Sequence, residues 1–189
     1  MCSELVRLRE IFSDIYRLGC VVRKRRLFII YYGGHGAIDL ARRIIWKCKN
    51  TTDSNKVGWT SIQDTLIRVV TKSDILIISD PCHSRSPSVP SQIRKYGVVE
   101  LLAACGFESS TPTYGEYCFT RNLVEQLKED YGHKHKTSRV YTGLVNCLSS
   151  FKPRPGEPRI TTVTPVHFTL ADIEEAYAIR LYDYPQPVA

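Results

Sequence analysis

Two short apolar runs, each closing on a residue able to do chemistry, limit this chain more than any other feature of it. Leu27-Phe28-Ile29-Ile30-Tyr31-Tyr32 leads through Gly33-Gly34 to His35 and Gly36, and Asp74-Ile75-Leu76-Ile77-Ile78-Ser79 leads through Asp80-Pro81 to Cys82. Both runs are rich in β-branched and aromatic residues and end on Gly or Pro punctuation, the pattern of short buried strands. The second is apolar on both alternating faces, as a central parallel strand must be. In open α/β sheets the carboxyl ends of parallel strands line the ligand crevice, so His35 and Cys82 are expected on one rim. An imidazole and a thiol brought together there form a nucleophile with its base.

The remaining pattern fits an α/β fold with a mostly parallel sheet flanked by helices. Leu5, Leu8, Ile11, Phe12, Ile15 and Leu18 recur at three- and four-residue spacing and predict an amphipathic helix over 4–19, with Gly19 at its end. Residues 39–58 are polar and irregular and read as a loop carrying Trp46, Asn50 and Asp53. A helix follows, capped by Thr60 or Ser61, with Asp64 in its first turn and Ile62, Leu66, Val69 and Val70 on its apolar face. Residues 83–96, with Pro87 and Pro90 among serines, read as a flexible loop, and 97–104 as another strand. Phe119, Leu123, Val124 and Leu127 define a helix that Gly132 ends, and Val140, Leu144, Val145 and Leu148 define one over 138–150. A last core strand is expected over 160–169 and an edge strand over 178–184.

Composition narrows the function classes. A chain of 189 residues, 43% hydrophobic and 24% charged, suits one globular domain with a real core; it is assigned to 1–182, with 183–189 as a tail. No apolar stretch approaches the ~20 residues that span a bilayer, and the N-terminal segment is charged and amphipathic rather than secretory. Seven irregularly spaced cysteines without a Cys-x-x-Cys argue against a disulfide framework or zinc ribbon, and imply a reducing compartment, cytosol or nucleus. The net charge is +7, with its densest cluster at Arg23-Lys24-Arg25-Arg26. Without interleaved aromatics that cluster reads as a solvated turn rather than a nucleic-acid footprint. There is no Gly-x-Ser-x-Gly or P-loop to support an α/β hydrolase or a nucleotide binder.

At the two motifs the chain resembles the caspase-like cysteine peptidases, above all the metacaspases and the caspase-domain proteins of fungi. Tyr32-Gly33-Gly34-His35-Gly36 is similar to that family's histidine motif, and Asp80-Pro81-Cys82-His83-Ser84 to its cysteine motif. The cysteine lies 47 positions after the histidine (82 − 35), beside a caspase spacing of about 50. Glu100 to Glu108, Tyr117 to Thr120 and Thr164 to Phe168 resemble segments that follow the nucleophile in fungal members. Pro81 and Arg85 depart from the family pattern, which has a small residue and a glycine at these positions. The first strands of the full fold have no counterpart here, so the resemblance covers the latter part of such a domain and leaves the 27–32 strand with an open, hydrophobic edge. Such an edge is a template for pairing, including self-association.

The resemblance implies a cysteine endopeptidase acting on a protein or peptide substrate. Cys82 is then the nucleophile and His35 its general base, with the backbone N–H groups of Gly36 and Cys82 on the oxyanion. Asp80 corresponds to an acidic pocket residue that selects Arg or Lys; the alternatives are a strand-end Asp accepting local backbone N–H bonds, or a carboxylate already paired with Arg85. Cys105 and Glu108 correspond to the wall of the substrate groove. The remaining cysteines, Cys2, Cys20, Cys48, Cys118 and Cys147, are expected to be buried and inert. No cofactor is expected. Calcium, which metacaspases often use, finds no clustered acidic loop, since 39–58 offers only Asp39 and Asp53. His83, His133 and His135 lack a third ligand at metal spacing and are expected in solvent. The competing reading is a catalytically weak or inactive relative serving as an interaction or regulatory module.

Overall fold

A computed structural model of the chain describes residues 26–41, 43–47, 56–68, 73–81, 92–93, 97–105, 118–149, 164–172 and 178–181. It is α/β, as expected, with a mostly parallel sheet and helices on both of its faces. Eight strands form: β1 (Leu27–Tyr32), β2 (His35–Ile38), β3 (Ile44–Lys47), β4 (Lys56–Gly58), β5 (Asp74–Ser79), β6 (Gln92–Ile93), β7 (Val99–Ala103) and β8 (Val166–Asp172). The helices are α1 (Trp59–Arg68), α2 (Phe119–Glu129) and α3 (Thr137–Ser149). The main sheet has the order β1-β5-β7-β8-β6, and β2-β3-β4 form a separate antiparallel sheet.

The two signature runs lie side by side. β1 pairs β5 in parallel over its whole length, from Leu27↔Asp74 to Tyr32↔Ser79, and β5 pairs β7 in parallel. Every residue of β5 is buried, in keeping with a strand apolar on both faces. Ile75 and Ile77 face one layer with Val99, Leu101, Trp46, Trp59, Ile62 and Leu66. Leu76 and Ile78 face the other, with Leu102, Phe119, Leu123, Val140 and Leu144. Each fully buried aliphatic side chain here contributes about 1.5–3 kcal/mol of transfer free energy. The result is three layers, with α1 and the small sheet on one side and α2 and α3 on the other.

Several expectations are corrected. The 39–58 stretch contains β3 and β4 rather than only loop, and Asp39 closes the β2–β3 turn. Its carboxylate accepts the Arg43 N–H and Nε–H, both at 2.7 Å, while its own N–H donates to the Arg43 carbonyl at 3.0 Å. The Arg43 backbone bond is the largest cause holding the Asp39 carboxyl below its ordinary value. Gln92–Ile93, inside the expected flexible loop, forms β6 and pairs with Ala171–Asp172. β8 begins at Val166 and runs antiparallel to β7, so the sheet is mixed at that side. Helix α1 starts at Trp59, which puts Thr60 and Ser61 inside its first turn rather than at its cap. Val124 and Leu127 on α2 are exposed rather than in the core. Residues 178–181 make a single antiparallel bridge, Lys136↔Arg180, instead of an edge strand. His135 is half-buried, 3.3 Å from Asp130, not solvated. The helix expected over 4–19, the basic cluster at 23–25 and the tail lie outside the described residues.

One buried acid crosses this framework. Glu100, 1% exposed in the middle of β7, accepts the Ile179 N–H at 3.1 Å and lies 3.2 Å from His167 Nε2 on β8. A buried carboxylate left without donors is costly, so the segment 178–181 and β8 are tied to the centre of the sheet through it.

Candidate functional site

The ends of three adjacent strands define a rim. Tyr32 of β1 stands level with Ser79 of β5, and Ser79 with Ala103 of β7. The ladder runs one step further, with the Asp80 N–H donating to the Tyr32 carbonyl at 2.7 Å and the Ala104 N–H to the Ser79 carbonyl at 2.9 Å. From that level the chain leaves β1 through Gly33-Gly34 to His35, and leaves β5 through Asp80 and a buried Pro81 toward Cys82. His35 and Cys82 each stand three residues beyond the paired Tyr32 and Ser79. Of the expected site residues, Asp80 and Cys105 directly follow β5 and β7 at this rim, while His35 and Gly36 open β2 of the small sheet, three and four residues beyond Tyr32. Cys82 and Glu108 lie outside the described residues, as do His83 and Arg85.

His35 is exposed at the first position of β2, and its backbone is held from below. The Tyr32 hydroxyl donates to the carbonyls of His35 at 2.9 Å and of its cross-strand partner Lys47 at 3.1 Å. One phenolic hydrogen is thus shared between the two strands of the hairpin. The Tyr32 ring stacks on Trp46 at 3.8 Å and 4°, and Trp46 meets Trp59 of α1 at 5.2 Å. Gly36 is buried in β2, opposite Trp46. This aromatic column fixes the small sheet, and with it the histidine, to the main sheet. The glycines make it possible. A Cβ at Gly34 would lie 2.6 Å from Tyr32 Oη, and one at Gly33 would collide with the Tyr31 ring.

Asp80 is half-buried at the rim. Its Oδ2 accepts the Thr120 hydroxyl at 2.5 Å, and the Thr120 hydroxyl also meets Tyr31 Oη at 2.8 Å. Burial pushes the Asp80 carboxyl above its ordinary 3.8, outweighing the hydroxyl and the backbone N–H of Thr120, which act the other way. Among the described residues, both groups that favour its charged form come from Thr120 in the first turn of α2, 40 positions away, and the local N–H groups that follow Pro81 lie outside the described residues. Among the described residues no cation pairs with Asp80. Sequence reasoning missed Thr120; its position at the start of a helix, where N–H groups lack intrahelical acceptors, was the available signal.

Cys118 caps the same helix. Its backbone is extended (φ −72, ψ 137) and its sulfur accepts the Arg121 N–H at 3.4 Å. It is not the inert buried residue expected, and neither is Cys147, which is exposed and directs its Sγ to Asn122 Oδ1 at 3.1 Å. Cys105 is buried at the end of β7. Cys2, Cys20 and Cys48 lie outside the described residues. Both oxygens of Asp39 are engaged by Arg43, and among the described residues no group of three or more His, Cys, Asp or Glu side chains gathers as for a metal.

The two core layers on either side of the main sheet define a three-layered α/β protein. No protein-family model matches the chain, and no curated protein matches it. Among solved structures it is similar to that of the protein GSU0716 from Geobacter sulfurreducens, with a TM-score of 0.57 and 15% sequence identity, covering 86% of this chain and 73% of that one. At that identity the likeness is one of fold. Among the described residues no helix is long and apolar enough to cross a membrane.

Proposed function

We propose that the chain is a caspase-like cysteine endopeptidase that cleaves after Arg or Lys. The observation carrying this reading is the level pairing of Tyr32 with Ser79, extended by the Asp80 N–H bond to Tyr32. It starts the paths to His35 and to Cys82 from adjacent points on one rim. A free thiol is only a few per cent thiolate at neutral pH, so His35 takes the Cys82 proton as the sulfur attacks the scissile carbonyl. The backbone N–H groups of Gly36 and Cys82 receive the negative oxygen of the tetrahedral intermediate. The imidazolium then gives its proton to the leaving amine, and water hydrolyses the thioester by the same route in reverse. Asp80 receives the basic side chain before the cleaved bond, with Cys105 and Glu108 along the groove.

The test is labelling of the folded chain by an Arg-directed covalent thiol inhibitor. The expected result is one adduct, at Cys82, lost in Cys82→Ala and strongly slowed in His35→Ala. Labelling that survives Cys82→Ala refutes the assignment.

A second reading, an interaction or regulatory module, is favoured by β1. Its only partner among the described residues is β5, and Ile29 and Tyr31 on it are 57% and 52% exposed. A folded chain that takes no label at Cys82, yet self-associates and loses this with Ile29→Lys, would support that reading over the first.

A further inference from the structure

Three elements meet in one hydrogen-bond chain: Tyr31 near the end of β1 contacts Thr120 in the first turn of α2, and Thr120 contacts the Asp80 carboxylate just past the end of β5. A threonine hydroxyl has one hydrogen to give. Spent on an ionised Asp80 at 2.5 Å, it leaves Thr120 Oγ1 as the acceptor for Tyr31, whose hydroxyl must then be the donor at 2.8 Å. When Asp80 is neutral the order inverts: the acid donates to Thr120, and Thr120 to Tyr31. The relay therefore has two orientations, matched to the charge of Asp80, and its outer end is a half-exposed phenol.

Resting on the reading of Asp80 as a cation subsite, we propose that Thr120 and Tyr31 are its positioning residues. Thr120 holds one carboxylate oxygen and Tyr31 orients the Thr120 hydroxyl, so that a substrate cation is received through the other oxygen. A guanidinium gains most by engaging both oxygens of a carboxylate, whereas an ammonium needs one. With Oδ2 held, the site accepts Lys and Arg on comparable terms. Binding of the cation to the neutral acid breaks the Asp80 O–H bond, releases that proton to water and turns both hydroxyls toward the carboxylate. Burial is the cause of the upward shift of Asp80, and Thr120 opposes it; Tyr31 and Tyr32 on β1, Glu100 on β7 and Cys118 and Arg121 on α2 do not contribute to the shift.

The experiment follows the Asp80 side-chain carboxyl by carbon NMR in the full chain, titrating pH and then adding n-butylamine or benzamidine. In Thr120→Val the Asp80 titration is expected to move to higher pH. Butylamine should then bind about tenfold more weakly, the loss of one bond to a charged group, with the largest loss on the acid side. Benzamidine should lose less, so the preference turns toward the amidinium. Thr120→Ser restores the native titration and preference, and Tyr31→Phe lies between. A folded Thr120→Val with unchanged titration and preference overturns the inference, as does a Thr120→Ser that behaves like it. If neither probe binds the native chain the inference also falls, while the peptidase reading is judged separately by labelling of Cys82.

Discussion

Tyr32 and Trp46 lie face to face, their ring centroids 3.8 Å apart and their planes 4° from parallel, and this contact joins the two sheets beneath His35. Tyr32→Phe keeps the stack but frees the carbonyls of His35 and Lys47, at an expected cost of about 1 kcal/mol. Trp46→Ala opens a cavity beside Trp59 and should cost about 3–5 kcal/mol. Urea unfolding measures both. If the hydroxyl aligns His35, thiol labelling of Tyr32→Phe should slow by more than its small stability loss explains.

Gly34 should tolerate nothing larger than hydrogen. The atoms in its way, Tyr32 Oη at 2.6 Å and Cζ at 2.7 Å, belong to a rigid ring already fixed by stacking. Gly34→Ala is expected to cost about 1–3 kcal/mol. In the double variant with Tyr32→Ala the penalty should largely vanish, because the clash is then gone. Additive losses in that cycle would show that the ring is not the obstacle.

The Asp80 carboxyl, raised above 3.8 by burial, holds its proton more tightly in the folded chain than in the unfolded one. Between 3.8 and the folded value the native state binds more protons, so its stability falls as pH rises through that interval. Asp80→Asn keeps an acceptor for Thr120 and removes the ionisation. Relative to the native chain, the variant should therefore gain stability as pH climbs from 3.8, then level off. Denaturant midpoints at a series of pH values check the sign; a gain that shrinks with rising pH contradicts it.

Gln63 offers a core substitution of the opposite sign to the usual one. It is fully buried on α1, and among the described residues neither Oε1 nor Nε2 has a hydrogen-bond partner. An unsatisfied buried polar group costs about 1–3 kcal/mol. Gln63→Leu should raise the urea midpoint accordingly. A fall would mean that the amide is bonded to a buried water.

What the sequence made legible follows how local each signal is. β5 and β7 were readable because a strand buried on both faces writes itself as a continuous apolar run, and β1 carries the same kind of run although Ile29 and Tyr31 on it are exposed. Phe119, Leu123, Val140, Leu144 and Leu148 carry the 3.6-residue period for the same reason. The β2–β4 sheet was not readable. Its strands have three or four residues, and it is organised by Asp39 gripping Arg43 and by Trp46 reaching Tyr32, contacts without a periodic signature. Nor does an apolar run state its direction, which is why β8 running against β7 came from the structure alone. At the rim, the types and spacing of His35 and Asp80 were visible early. Thr120 was not, because its partner lies 40 positions earlier in the chain.

Glu100 leaves its mark far from the rim. Since its two oxygens answer to Ile179 and His167, a nick or deletion that detaches Ile179 strips a donor from an acid sealed between apolar layers. Loss of that short segment is therefore felt between the two apolar layers, at about 1–3 kcal/mol for a sealed acid left short of a donor.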